Sequence, residues 1–280
     1  HLLFKNYLWE TGISESNIHI LKDHLQKLKK LGINKKSKIL EIASNDGSFI
    51  KILKDKFDCF VIGVDPAKNL ATKANKKNIF TINNFFDYKL SRSIKRKYNK
   101  FDYIFARNVI AHIKEPNNIF RGIDNLLKDD GIFILEVPHL LNIFNKNQYD
   151  NIFHEHIGFH SLKSIQDLCR ANNLKVFDVE KIDSQGGSIR CFISKSTSTQ
   201  LVSKKISVIN QTEKKSNLFL NSNLNMFKNK ILNHIESLHE LILSLKRKKK
   251  KISVYGASGK GQALLQFSKM DNNMIDFVFD

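Results

Sequence analysis

Cysteine, proline and tryptophan are scarce in this chain, at three, three and one in 280 residues. Cys59, Cys169 and Cys191 lie far apart and form no Cys-x-x-Cys pair, which excludes a disulfide framework. Cys59 and Cys191 sit among apolar neighbours, as buried thiols do, and a reducing cytoplasm fits best. No apolar run reaches the ~18 residues that span a bilayer, so no membrane association is expected. His1-Leu-Leu-Phe-Lys5 is too short and too soon polar for a signal peptide. An initiator Met is missing too, so the chain is expected to be part of a longer protein. Acidic residues are few: 27 Asp and Glu stand against 46 Lys and Arg, a formal charge of +19.

That charge invites a nucleic-acid reading. The lysines, however, are scattered through segments rich in Asn, Ile and Phe, and the one dense run is Lys246-Arg-Lys-Lys-Lys-Lys251. It falls at the end of a long helical pattern, where cations favour the helix dipole. No nucleic-acid partner is expected. An anionic small substrate such as a diphosphate would gain from the same field. With 41% hydrophobic and 26% charged residues, the composition is that of a globular chain, long enough for two domains and expected to be a monomer.

Short apolar strands alternate with helices over the first half. A helix is expected from Ser16, with Ile20, Leu21, Leu25, Leu28 and Leu31 on one face and Gly32 as its stop. Strands are expected at Lys38–Ala43, Cys59–Val64, Ile79–Ile82, Phe101–Ala106 and Ile132–Val137, with helices after the first, second and fourth. This is the pattern of a doubly wound parallel sheet. Residues 139–160 form a connection too long to be a mere linker. Val176–Glu180 and Ser188–Ser194 read as an antiparallel pair closing the sheet. A β-α start recurs at Ile252–Gly261. The expected division is an N-terminal segment and helix (1–36), a cofactor-binding domain (37–195), a helical linker (196–250) and the start of a second α/β domain (251–280).

The first strand runs into Ala43-Ser-Asn-Asp-Gly47. A phosphate-binding turn wants several glycines or a Gly-Lys-Ser/Thr ending, and this one has a single Gly and an Asp. An acidic turn repels pyrophosphate and suits a cation. S-adenosylmethionine carries a sulfonium and an ammonium, so Glu41, Ala43, Asn45, Asp46 and Gly47 are candidate contacts for it. Asp65, in Gly63-Val-Asp-Pro66, stands where a carboxylate accepts from both ribose hydroxyls. Pro66 follows it. Asn84, Phe85 and Phe86, after the third strand, could flank an adenine. Asn108 and His112, after the fourth, offer hydrogen bonding and proton transfer.

A second dense cluster, Tyr149-Asp-Asn-Ile-Phe-His-Glu-His-Ile-Gly-Phe-His160, brings three histidines and a carboxylate into seven residues. The spacing is not His-Glu-x-x-His and no cysteine is near. Metal binding, simple capping and packing, and acid–base chemistry all remain open for it. Histidine titrates near neutrality, and an adjacent carboxylate can orient it. A carbon nucleophile needs such a base, because a C–H beside a carbonyl must lose its proton before attack on a sulfonium methyl.

Taken together, Tyr7-Leu-Trp9 with Ser14, Leu40–Gly47, Gly63–Pro66, Asn108-Val-Ile-Ala-His112, Phe153-His-Glu-His156, Gly186-Gly-Ser-Ile-Arg190 and Tyr255–Gly261 resemble the sugar C-methyltransferase family. The resemblance runs through nearly the whole chain in family order. It implies a class I methyltransferase fold and S-adenosylmethionine-dependent C-methylation of a nucleoside-diphosphate 4-keto-deoxysugar. By the same resemblance His156, paired with Glu155, is the base. The resemblance also implies that His112 lies by the reacting sugar and polarises its keto oxygen, and that Tyr7 lines the same pocket. Phe153, Arg190, Tyr255 and Lys260 are implied substrate contacts. Phe153 departs from the family, which has Tyr two residues before the Glu. The family also begins with a four-cysteine zinc module that this chain does not contain, and no metal is expected here. The family's second α/β domain runs on past residue 280. Other readings are an O- or N-methyltransferase, or a non-catalytic protein binding the cofactor or RNA.

Overall fold

The computed structural model describes residues 3–10, 24–256 and 258–279. Ser14 and the first half of the helix expected from Ser16 lie outside them. The second half is helix α1, over 24–30.

The elements then run β1 (Lys38–Ile42), α2 (Ser48–Phe57), β2 (Phe60–Asp65), α3 (Lys68–Lys76), β3 (Thr81–Asn83), α4 (Tyr88–Tyr98), β4 (Phe101–Arg107), α5 (Pro116–Leu126) and β5 (Leu127–Pro138). After them come α6 (Leu140–Asn145), α7 (Leu162–Arg170), β6 (Leu174–Ile182), β7 (Ser188–Lys195), α8 (Lys204–Lys215), α9 (Asn221–Arg247), β8 (Ser253–Tyr255), α10 (Gly259–Phe267) and β9 (Phe277–Phe279). Seven strands form one sheet in the order β3-β2-β1-β4-β5-β7-β6. The first five are parallel, and β7 runs antiparallel to both β5 and β6. The doubly wound α/β sheet read from the sequence is the fold found.

Side chains alternate across each strand, so the sheet feeds two cores. Leu40, Ile42, Ile104, Phe133 and Leu135 face one side, where α4, α5, α7 and α8 pack through Ile94, Phe120, Ile165 and Ile206. Ile39, Phe105 and Ile134 face the other, against Leu25 and Leu28 of α1 and Phe49, Ile50 and Leu53 of α2. Each fully buried Leu, Ile or Phe contributes about 1.5–3 kcal/mol, and the sheet needs both helical layers to bury them.

Three local readings change. Helix α4 was not expected, since Leu90 and Ile94 are the main apolar signals in a basic stretch. Asp87 caps it, accepting from Leu90 N at 2.6 Å. The strand expected from Ile132 begins at Leu127: Phe101 pairs with Leu127 and Tyr103 with Ile132, so 128–131 bulge opposite one residue. The stretch 196–250 is more than a linker, because Ile206 and Ile209 of α8 enter the first core. Among the described residues no helix is long and apolar enough to cross a membrane.

Candidate active site

The C-terminal edge of the parallel strands carries the site. Past β1 the chain makes a tight coil in which every second residue is left-handed: Ala43 (φ 54°), Asn45 (φ 54°) and Gly47 (φ 74°). Left-handed backbone costs an ordinary residue roughly 1–2 kcal/mol, so Gly and Asn suit two of these positions and Ala43 is held there by its surroundings. Asp65, at the end of β2, accepts from Asn45 N at 2.7 Å and from Ala67 N at 2.8 Å. Burial raises its carboxyl, and those two N–H groups pull it partly back. Asp65 thus ties the first turn to the second while each oxygen retains accepting capacity.

Asp46 does not face a ligand as an open anion. Its carboxylate accepts from Lys77 Nζ at 2.7 Å and Ser48 Oγ at 2.6 Å. Burial raises its pKa, but Lys77 and Ser48 outweigh that and hold the carboxyl below its ordinary range. The Pro66 carbonyl accepts from Asn83 Nδ2. Asn84 is exposed, its backbone N–H bonded to Asp65 O, and Phe85 is half-buried beside it. Phe86 belongs to the core, packed so closely on Gly122 that a Cβ there would stand 2.9 Å from its ring. The expected pair of adenine-flanking rings is therefore reduced to Phe85.

Beneath the turn, charges alternate across the sheet. Arg107 bonds Glu41, and Arg190 bonds both Glu136 (2.6 Å) and Glu180 (2.7 Å). The cross-strand register sets Arg107 beside Glu136 and Glu136 beside Arg190. Arg190 is 3% exposed and committed to this ladder, which corrects its expected place against substrate. His24 lies over it, with Nδ1 at 3.6 Å from Glu136. Burial, with Arg190 and Arg107 nearby, drives its pKa well down and keeps it neutral.

Residues 3–10 cross over the turn toward the histidines. Tyr7 exchanges two backbone hydrogen bonds with the Asn69 side chain, and Asn45 Nδ2 donates to Trp9 O at 3.0 Å. Glu10 pairs with Lys73. At the far end Tyr7 OH donates to Glu155 Oε2 at 3.4 Å, and the Phe4 ring meets His112 edge-on. Burial, then the Glu155 charge, pushes the Tyr7 phenol up to about 12.

His112 and His156 stand with ring centroids 4.9 Å apart. His112 Nδ1 lies 3.0 Å from Glu155 O, and His156 Nδ1 lies 2.9 Å from Asn151 O. A carbonyl only accepts, so each Nδ1 carries the proton and each Nε2 presents a lone pair. It is thus the Asn151 carbonyl, not the adjacent Glu155 carboxylate, that orients His156. Burial, His112 and Lys260 lower His156 to about 4. Burial also lowers His112, against the opposing pull of the Glu155 and Asn108 carbonyls. Asn108 is left-handed (φ 53°), and its buried Oδ1 has no hydrogen-bond partner among the described residues.

The loop is pinned at both ends. His139 and His160 form a β-bridge, and the fully buried His139 bonds Glu213 of α8 at 2.7 Å. His154 is exposed while His160 is buried, so the three histidines of the cluster do not converge. Among the described residues no three metal-ligating side chains do. Glu213 was not a sequence candidate: a lone Glu in a lysine-rich helix carries no signal until the tertiary fold brings His139 to it.

The second β-α unit reaches the same place. The Phe153 ring packs on His156 (4.5 Å) and on Gly259, where a Cβ would stand 3.0 Å from it. Lys260 follows, half-buried, its charge felt at His156. Tyr255 does not join them and is 92% exposed.

The methyltransferase domain family matches residues 15–179, and the C-methyltransferase C-terminal domain matches residues 183–280. C-methyltransferase NovU of Streptomyces niveus is 28% identical over all of this chain and 66% of its own length. Phosphoethanolamine N-methyltransferase of Plasmodium falciparum is 25% identical over 47% of the chain and 47% of its own length. The chain therefore spans less than two thirds of these relatives. The crystal structure of the PH0226 protein from Pyrococcus horikoshii OT3 shares the fold, with a TM-score of 0.54, 21% identity, and coverage of 67% of this chain and 94% of that one. With a match extending over more than half its length, the chain belongs to the methyltransferase domain family, and its second part is similar to the C-methyltransferase C-terminal domain.

Proposed function

We propose that the chain is the catalytic part of an S-adenosylmethionine-dependent C-methyltransferase acting beside the ketone of a nucleoside-diphosphate 4-keto-deoxysugar. The observation that carries this reading is the facing pair of imidazoles, each with Nδ1 spent on a carbonyl and Nε2 free, next to the cofactor turn. The family of the second domain points to carbon as the acceptor.

The residues fit the cofactor. Glu41 Oε2 and Asn108 Oδ1 are buried acceptors without partners among the described residues, suited to an ammonium, and Lys77 beside the turn is taken up by Asp46. Asp65 keeps accepting capacity for a ribose. The bound cofactor supplies an electrophilic methyl group on a sulfonium. The protein's work is to orient the sugar carbon, exclude water and remove the α-proton.

His156 Nε2 takes that proton, and the Asn151 carbonyl supports the imidazolium that forms. His112 accepts at Nε2 in its neutral form, so it polarises a keto oxygen only when protonated. Lys260 brings a permanent positive charge to the side where the enolate oxygen develops. Tyr7, held by Glu155, is the phenol of the site, since Phe153 has none.

The test is exchange of the sugar's α-proton with deuterated solvent, followed by NMR, in the presence of S-adenosylhomocysteine. Wild-type protein should catalyse exchange, and His156→Asn should slow it by about 10²–10⁴-fold, the usual worth of a general base. Methyl transfer to oxygen or nitrogen without exchange would sink the proposal.

A further inference from the structure

The ion pair beneath the cofactor turn is lopsided. Arg107 places Nε (2.9 Å) and Nη2 (2.7 Å) on the same oxygen of Glu41, Oε1. In the usual fork each carboxylate oxygen takes one N–H. Here Oε2 is left buried with no hydrogen bond, in a side chain 1% exposed. Arg107 Nη1 likewise makes no hydrogen bond among the described residues. The guanidinium is held over the Phe49 ring, with Cζ 3.8 Å from its centroid. Phe49 belongs to α2, the helix that leaves the cofactor turn.

A buried carboxylate oxygen without a donor is costly unless something charged completes it. The pair thus offers one unused anionic acceptor and one unused cationic donor. The amino-acid end of the cofactor carries an ammonium and a carboxylate on one carbon, the matching arrangement of opposite sign.

We infer that Arg107 reads the carboxylate of the cofactor's amino-acid end through Nη1, while Glu41 Oε2 takes the ammonium. The inference rests on the proposed function and adds Arg107 to the binding residues, with Phe49 as its positioning ring. Burial, with Glu136 and Asp65 nearby, outweighs Arg107 and leaves the Glu41 carboxyl raised to about 7, so a second cation at Oε2 is what the site lacks. Other charged residues do not compete: Arg190, whose Nη2 is also buried without a hydrogen bond among the described residues, is separated from Glu41 by the strands β4 and β5, and Lys77 is held by Asp46.

The test is calorimetric binding of S-adenosylhomocysteine and of its analogue lacking the α-carboxylate, to wild-type protein and to Arg107→Gln. Wild-type protein should bind the analogue roughly ten- to hundredfold more weakly, the worth of one hydrogen bond to a charged group. Arg107→Gln should bind both ligands alike, near the wild-type affinity for the analogue. Equal affinity of wild-type protein for both ligands overturns the inference, and so does an Arg107→Gln variant that still prefers the carboxylate. If Arg107→Gln fails to fold, Arg107→Lys, which keeps the charge beside Glu41 and lacks Nη1, takes its place: it should lose most of the preference for the carboxylate, and an unchanged preference overturns the inference. Wild-type protein that binds neither ligand overturns the proposed function together with this inference.

Discussion

Glu213→Ala should lower thermal stability sharply although Glu213 lies in a stretch that reads as a linker. Its carboxylate accepts from His139 Nε2 (2.7 Å), Leu162 N (2.6 Å) and Lys163 N (3.1 Å). His139 and Leu162 are fully buried, so Ala leaves two donors without water or partner. Each such group costs about 1–3 kcal/mol, so the two together cost about 2–6 kcal/mol. For a domain of this size 1 kcal/mol moves Tm by about 2–4 °C, which gives a fall of about 10 °C. Differential scanning calorimetry reads it. Burial raises the Glu213 carboxyl, but His139 and the two backbone N–H groups outweigh it, so the folded pKa is depressed. The stabilisation is therefore present above the ordinary carboxylate pKa and lost as pH falls through the lower, folded one. The gap between wild type and variant should close in that acidic window. Because Glu213 joins the start of the 139–160 loop to the first turn of α7, amide exchange should rise at both ends of the loop. A shift in Tm under about 2 °C, or unchanged exchange in 139–162, would refute the reasoning.

Two further outcomes follow from the site. Gly259→Ala places a Cβ against Phe153 and should destabilise by about 1–3 kcal/mol, as overpacking does; Phe153→Leu should recover most of it, and additive losses in thermal unfolding would count against the contact. His156 is lowered to about 4, so its Nε2 stays unprotonated between pH 4 and its ordinary 6.5; the acid limb of kcat/KM should lie nearer pH 4 than 6.5, and a limb at 6.5 would remove His156 from the role of base.

The strands were legible because each is a short run of Ile, Val, Leu and Phe, and the parallel order followed from their alternation with helices. Helix α4 was not, because its buried face is little more than Ser91 and Ile94 in a lysine-rich surface. The site divides in the same way. Asp65 and Gly47 sit where their motifs suggest, since those motifs are local turns. Asp46 and Arg190 carry the same sort of signal, a charge within a motif, yet their partners Lys77, Glu136 and Glu180 lie 31, 54 and 10 residues away. A charge in the sequence says that something must neutralise it and leaves open whether that is a ligand or the protein itself. Phe86 illustrates the matching ambiguity for aromatics: ring and core are the same chemistry until Gly122 is seen against it.

That ambiguity bears on the base itself. An imidazole lowered to about 4 by burial, His112 and Lys260 looks too weak for a carbon acid. The pKa that matters is, however, a difference between two groups in one site. Lys260 repels the imidazolium that proton transfer creates, and it attracts the enolate created in the same step. Transfer from carbon to Nε2 leaves the net charge unchanged, so a cation at equal distance from both groups contributes almost nothing to the balance. A cation nearer the oxygen favours transfer even as it lowers the histidine's own pKa. Removing the charge with Lys260→Met should therefore raise the His156 pKa toward its ordinary value and still slow α-proton exchange. An NMR titration of His156 alongside the exchange rate reads both. If the higher pKa came with faster exchange, the enolate would owe nothing to Lys260, and the charge would have to be read as a burden on the base.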